Sequence, residues 1–329
     1  MSYMFNFCAH LTYLDLRTFD FNKVQKAFGL FAYCHNLRFI LCNDDWSKTG
    51  NSVYDSGMFN SCNKLAGDHG TMFNADETRL GYARPDEGKD APGYFSKEVP
   101  VAFYYVLNEG TGVMTFYYDN LLLERKGEII PESTSGYEWE PRVLKVKTAV
   151  FDESVKEARL TTLSLLFSRF KHLTDIVHLD YLNTSEVTDM SYMFSECENL
   201  ASLDVSSFDI SKVTNMDWMF AGCTSLKTIY CDEDWSKNES VESSAMFFLC
   251  IAIEGGAGTV YDNDHQRIEY ARPDQGTSAP GYFTSKKTPT AAENVTVAPA
   301  AQKLLRNGIL YILRNGKTYN ANGQLIINN

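Results

Sequence analysis

Long apolar runs are missing from this 329-residue sequence. Stretches such as Leu163 to Phe167 break within a few residues, and the longest unbroken one, Ala245 to Ile253, ends after nine, far short of the ~20 that a membrane-spanning helix needs. Positive charge is in deficit as well, with 30 Lys and Arg against 42 Asp and Glu, a formal net charge of −12. A general nucleic-acid or anionic-membrane binder needs a basic face, so both classes are excluded. No C-x-x-C pair occurs, which removes the usual zinc and dithiol signatures. No basic-then-apolar leader opens the chain; we read it as starting in the middle of a repeat. Apolar residues are not scarce: at 44% they suffice for a sizeable core, and wholesale disorder is excluded.

What the sequence does contain is itself, twice. Residues 1–48 align without gaps on 190–237 with 23 identities, and 58–95 align on 246–283 with 19. MSYMF (Met1–Phe5) recurs at Met190–Phe194, DWSK (Asp45–Lys48) at Asp234–Lys237, and both copies end in YARPD-x-G-x-x-APGYF. A shorter period runs inside each copy. Phe167, Phe194 and Phe220 are 27 and 26 residues apart, and so are Phe170, Cys197 and Cys223; Phe5 and Phe31 are again 26 apart. Periods of 20–29 belong to leucine-rich repeats. Leu200-x-x-Leu203-x-Val205-x-x-Phe208-x-Ile210 follows that pattern with Phe in the usual Asn slot, and Leu11, Leu14, Leu16, Phe19 and Phe21 repeat it.

This periodicity predicts an α/β leucine-rich-repeat solenoid with one short strand per repeat, near Leu14–Leu16, Ile40–Cys42, Leu203–Val205 and Ile229–Cys231. Alternate strand side chains would point inward. Val213, Met216 and Phe220, at i, i+3 and i+7, predict a helical return leg. Phe19 and Phe208 are expected to join a stacked aromatic spine in place of the Asn ladder. The expected repeat core comprises Phe5, Cys8, Phe19, Phe31, Cys34 and Cys42 in the first copy. In the second it comprises Phe194, Cys197, Phe208, Phe220, Cys223 and Cys231.

Reactive chemistry is hard to assemble. The eight cysteines fall as four equivalent pairs between copies at the spacing of the repeat. Equivalent strand positions of neighbouring repeats lie about 4.8 Å apart on parallel vectors, beyond the roughly 3.8 Å between Cβ atoms that a disulfide prefers. Buried free thiols are therefore preferred over disulfides or a metal site. The six histidines, at 10, 35, 69, 172, 178 and 265, do not recur between copies, so no nucleophile–His pair suggests itself. Asp262, Asp264 and Asp274 lack the spacing of a calcium loop, and the first copy has Asn74, Asp76 and Asp86 there. They are read as loop carboxylates. The tails carrying Arg84-Pro85 and Arg272-Pro273 are read as caps on each array. Trp46 and Trp235, each just after a strand, could offer binding aromatics or pack an edge.

The combination MF-x-x-C-x-x-L-x-x-L-D-[LV]-S-x-F-D-x-S-K-V-T-N-M, matched nearly position by position by Met219–Phe220 with Cys223 and by Leu200 through Met216, resembles the BspA-like leucine-rich-repeat surface proteins of Bacteroidales, which are related to mycoplasma surface lipoprotein repeats. The resemblance covers roughly 1–98 and 151–284. It implies a secreted or cell-surface protein, non-catalytic and without cofactor or metal. It implies adhesin-like binding of a protein partner, a host extracellular-matrix protein for instance, with an architectural spacer of the envelope as the alternative. The domain plan that follows is a first array over 1–98, truncated at its start; a β-rich module over 99–150, like the non-repeat modules of Bacteroidales members; a second array over 151–284; a linker over 285–300; and a C-terminal β segment over 301–329, similar to sorting signals. Val101–Leu107 and Val113–Asp119 predict a hairpin in the module, Val143–Phe151 a further strand. Exposed strand positions nominate Tyr13, Asp15, Arg17 and Asp204, with Trp46 and Trp235, as ligand contacts.

Overall fold

The computed structural model describes residues 1–48, 54–130, 143–238 and 240–286, together with the backbone of four C-terminal strands. The described residues form a mixed fold, mostly strands and turns. Helices are few, and over 151–284 each is a 3-10 turn of three to five residues. In chain order the strands are β1 (Tyr13–Asp15), β2 (Phe39–Leu41), β3 (Phe95–Ser96), β4 (Ala102–Asn108), β5 (Val113–Asp119), β6 (Glu128–Ile129), β7 (Thr148–Phe151), β8 (Asp175–Val177), β9 (Ser202–Asp204), β10 (Thr228–Tyr230) and β11 (Phe283–Thr284).

The four expected repeat strands all form, each starting one residue early, and they pair in parallel. Tyr13 faces Phe39 in β1–β2, and Ser202 faces Thr228 in β9–β10. The 26-residue sequence period is thus the step between hydrogen-bonded neighbours. β3 and β11, from the APGYF ends of the two copies, close each sheet. The expected hairpin is β4–β5, with Asn108 opposite Val113. β5 also pairs in parallel with β7, and β7 with β8. Thr148, Asp175 and Ser202 are 27 residues apart, so the period of the second copy reaches back to β7. The boundary expected after residue 150 falls inside that strand.

The return leg corrects the sequence reading. Among the described residues between 151 and 284 there is no α-helix. Instead, alternate N–H groups cross to the next repeat: Met190, Tyr192, Phe194 and Glu196 donate to the carbonyls of Asn215, Asp217, Met219 and Ala221. The N–H groups between them close tight turns, Met193 to Met190 and Ser195 to Tyr192. Two residues per repeat take the left-handed conformation, as in Leu165 with Arg169, Tyr192 with Glu196, and Trp218 with Gly222. An α-helix tolerates neither, because its N–H groups bond four residues back and left-handed residues cost roughly 1–2 kcal/mol each. Met216 and Phe220 still share the inner side because the chain reverses twice in four residues. Helical spacing was a coincidence of those turns.

The aromatic spine runs up this leg, not through Phe19 and Phe208. Phe167, Phe194, Phe220 and Phe247 stack at 5.5–5.7 Å between centroids with planes within 15°. Phe5, Phe31 and Phe59 do the same in the first copy. Phe208 is buried but outside the stack; Phe19 is half-buried and tilted against Trp46. Beside each spine stands a column of free cysteines. Five of the thiols donate to the carbonyl of a Phe one repeat earlier, among them Cys34 to Phe5 at 2.9 Å, Cys223 to Phe194 at 3.0 Å and Cys250 to Phe220 at 3.0 Å. Burial pushes the thiols of Cys34 and Cys42 up to about 11, so at neutral pH they are protonated donors. Of the expected core only Phe5, Cys8 and Phe19 are half-buried; the rest are buried. Phe5 and Cys8 pack against the edge of the first-copy core.

The two copies have separate apolar cores, and the hairpin touches both sides. Tyr105, Met114 and Phe116 enter the second core. Tyr104, with Leu122 and Ile129, buries Phe39 and Leu41 on the strand face of the first copy. Strand alternation places neighbouring tyrosines on opposite faces, which is how one hairpin serves both.

At the C-terminus Gln302–Arg306, Ile309–Arg314, Lys317–Asn320 and Leu325–Asn328 (β12–β15) form an antiparallel meander. The strand-like sequences Ile309–Leu313 and Leu325–Ile327 fall in β13 and β15. The Asn315-Gly316 and Asn322-Gly323 turns, the loop with Pro131, Ser133 and Gly136, and most of the 285–300 linker lie outside the described residues.

Each copy ends in a loop organised by one aspartate. The Asp274 carboxylate accepts hydrogen bonds from the N–H groups of Ala257, Thr259 and Gly276 and from the Thr259 hydroxyl, at 2.7–2.9 Å. Asp86 repeats this with His69, Thr71 and Gly88. Partial burial alone would raise the Asp274 pKa, but these donors hold it below the ordinary carboxylate range. A depressed pKa stabilises the fold above the unfolded-state value and loses that contribution as pH falls through the folded value. Asp274→Asn should therefore cost about 2 kcal/mol near neutral pH, and the gap to the parent should close below about pH 4. Thermal midpoints across pH 2–7 check this; a gap independent of pH would show that the charge is irrelevant.

Candidate functional site

The strand faces of the two copies differ although their sequences align. In the first copy the outward slots of β2 are Phe39 and Leu41, both buried under the hairpin. In the second the same slots of β10 hold Thr228 and Tyr230, both half-exposed. This face of the second copy forms an open cleft of about 660 Å³, bounded by β8, β9, β10 and the chain after β11. Asp175 and His178 come from β8 and its end, Asp180 from the 3-10 turn after it, and Ser202 and Asp204 from β9. Tyr230 forms part of the wall, and Lys286 reaches in from beyond β11.

Lys286 Nζ forms an ion pair with Asp204 and lies 5.3 Å from the centroid of the Tyr230 ring. Its backbone is fixed by Asp232, which accepts from the Lys286 N–H at 2.9 Å and the Ser285 hydroxyl at 2.6 Å. Partial burial would raise the Asp204 pKa, but Lys286 and Ser206 hold it below the ordinary carboxylate range. The carboxylates of Asp175 and Asp180 make no hydrogen bond to any described residue. His178 takes a left-handed conformation and stacks on Tyr181 at 4.5 Å, where it faces the cleft.

Of the residues nominated from sequence, Asp204 alone lies in this cleft. Tyr13 stacks on Phe39 at 5.5 Å and packs against the cluster that the hairpin covers. Asp15 and Arg17 are exposed and paired with each other, Arg17 Nη2 lying 2.6 Å from Asp15 Oδ2. Trp46 and Trp235 are each 1% exposed. Trp46 stacks on Phe21 at 4.1 Å and meets Phe95 edge-on; Trp235 meets Phe283 in the same way. Neither indole offers surface to a ligand, because each fills the gap between the last repeat strand and the chain that closes the sheet. Sequence reasoning missed Asp175, His178, Asp180, Tyr230 and Lys286. The signal for Tyr230 was available, namely the change from Leu41 to Tyr230 at one outward slot.

Among the described residues no group of three or more His, Cys, Asp or Glu is arranged to hold a metal, and no helix is long and apolar enough to cross a membrane. The model of one sequence family, described as "Mycoplasma protein of unknown function, DUF285", matches residues 1–74 and 146–256, more than half of the chain. The chain belongs to this family. The portions of this DUF285 member that match carry β1, β2 and β7–β10 with their turn legs; the hairpin lies outside them. No curated protein matches the sequence. A solved leucine-rich cell surface protein from Faecalibacterium prausnitzii A2-165 is similar at 15% identity and a TM-score of 0.21. That match covers 69% of this chain and 59% of the other, less than two thirds of its length.

Proposed function

We propose that this DUF285 member is a non-catalytic cell-surface repeat protein, built as two leucine-rich-repeat arrays around a hairpin module. It binds a protein partner through the strand face of its second array. The setting we infer is a bacterial envelope of the Bacteroidales type, and the activity is adhesin-like attachment to a host or matrix protein. One observation carries this reading: the hairpin covers the strand face of the first copy, whereas the aligned face of the second is open and polar. A broad face of this kind suits a contact in which a few residues dominate, Tyr230 foremost. The covered first face favours a second role, a spacer, for that array alone.

The test uses immobilised collagen, laminin and fibronectin with the full chain in solution. Ser202 is exposed in the centre of the open face, so Ser202→Trp should block a partner without touching the core. At least one matrix protein should bind, and Ser202→Trp should weaken it about tenfold, the equivalent of 1.4 kcal/mol. Absence of binding, or binding indifferent to Ser202→Trp, would remove the adhesin reading.

A further inference from the structure

We infer that the open cleft of the second copy receives lysine side chains carried on an extended segment of a protein partner, and that Lys286 occupies one such place until the partner displaces it. The inference rests on the binding reading above and specifies its chemistry.

The cleft already shows how it holds an ammonium group. Lys286 supplies one, and the cleft meets it with the Asp204 carboxylate on one side and the Tyr230 ring on the other. A carboxylate with an aromatic face is a receptor for a cation. The supply of anions exceeds what Lys286 uses. Asp175 and Asp180 line the same space, and neither makes a hydrogen bond to a described residue. Three carboxylates thus line a cleft that holds one lysine, with His178 and Tyr230 the other titratable groups in its lining; Asp232 holds the Lys286 backbone N–H beside it, and Lys156 acts on Asp180 from outside the lining. The volume, about 660 Å³, is also far more than one lysine side chain fills.

The first copy supplies the contrast. Asp15 aligns with Asp204, but its partner is Arg17, two residues along the same chain. That pair is bidentate, with Arg17 Nε on Oδ1 at 2.9 Å and Nη2 on Oδ2 at 2.6 Å. Glu98 stands where the second copy has Lys286. The first aspartate is thus neutralised by a residue just past its own strand. The second is neutralised by a residue 82 positions away, through a single ammonium. Both partners of the Asp204–Lys286 pair have side chains about half exposed, and exposed pairs of this kind contribute about 1 kcal/mol or less. An external lysine can therefore compete, opposed mainly by the local concentration of the tethered one.

The experiment measures fluorescence anisotropy of two labelled peptides at low salt, one with three lysines separated by Gly-Ser and one with glutamates in their place. The full chain should bind the lysine peptide and ignore the glutamate peptide. Lys286→Ala should tighten the lysine peptide about threefold to tenfold, because the resident competitor is gone. Asp204→Asn and Tyr230→Leu should each weaken it by about fivefold. A Lys286→Ala chain that binds no better than the parent, or equal binding of both peptides, would overturn the inference. The two readings fail separately. If Ser202→Trp blocks a matrix protein but the lysine peptide does not bind, the face is a binding face and the lysine assignment is wrong. If the lysine peptide binds and Lys286→Ala tightens it while no matrix protein binds, the lysine site stands without the adhesin reading.

Discussion

Phe220→Ala is expected to lower stability by about 3–5 kcal/mol, enough to cancel much of what a domain ordinarily has. The ring is fully buried and lies between two others, Phe194 at 5.7 Å and Phe247 at 5.5 Å. Truncation opens a cavity that neither neighbour can fill, because the backbone of each is fixed: the Phe194 N–H donates to the Met219 carbonyl and the Phe247 N–H to the Gln266 carbonyl. Stacking adds about 0.5–1.5 kcal/mol per ring pair beyond burial. Phe5→Ala should cost less, since the ring is half-buried and, among the described residues, stacks on Phe31 only. Phe208→Ala, outside the stack, should fall between the two. Urea midpoints of the three variants test the order. A Phe220→Ala midpoint no lower than that of Phe5→Ala would mean that the ladder does not bear on stability.

The strands were legible because a period of 26–27 with inward Leu, Val, Ile and Cys leaves little freedom in register. Leu203 and Ile229 had to point inward, and the pairing of Ser202 with Thr228 follows. The return leg was not legible, for a physical reason. Spacing reports which side chains share a face, not where the N–H groups go. Met216 and Phe220 satisfy a helix and a double left-handed turn equally well. Tyr192, Trp218 and Glu196, at positive φ, carry no sequence sign of it, since they are not glycine. The candidate site was half legible. Strand alternation exposed Asp204 and Tyr13 alike, but whether an exposed slot stays open depends on a segment 90 residues away. The hairpin covers Tyr13, Phe39 and Leu41 and leaves Ser202 and Tyr230 uncovered. Phe39 and Leu41, apolar in outward slots, were the sequence trace of that cover. Lys286 was hidden more deeply, because it begins a stretch that composition marks as linker.

Gly281→Ala should be as damaging as the loss of a core ring, although it adds only a methyl group. A Cβ placed at Gly281 would lie 2.2 Å from the Arg272 carbonyl oxygen and 2.9 Å from Arg272 Cγ. Real Cβ atoms do not approach a backbone oxygen so closely, and the oxygen cannot retreat. The Arg272 carbonyl accepts from the Phe283 N–H at 3.0 Å, while the Arg272 guanidinium donates to the Pro280 carbonyl at 2.9 Å. The Tyr282 N–H is bonded to Tyr270. Relief of the clash must pull the 279–284 strap off the loop at 270–274 and take Tyr282 and Phe283 out of contact with Phe247. Overpacking usually costs about 1–3 kcal/mol; here the loss of two buried aromatics adds to it, and more than about 3 kcal/mol is expected. The first copy is an internal replicate. A Cβ placed at Gly93 would lie 2.1 Å from the Arg84 carbonyl oxygen, with Phe59 in the place of Phe247. Because the two copies have separate cores, Gly281→Ala and Gly93→Ala should each depress the melting of one copy more than the other. Calorimetry of the two variants, with hydrogen exchange at Trp235 and Trp46 as local reporters, measures this. A Gly281→Ala chain that melts with the parent would show that the strap opens freely, and the proposed order of contacts at this end of the molecule would be wrong.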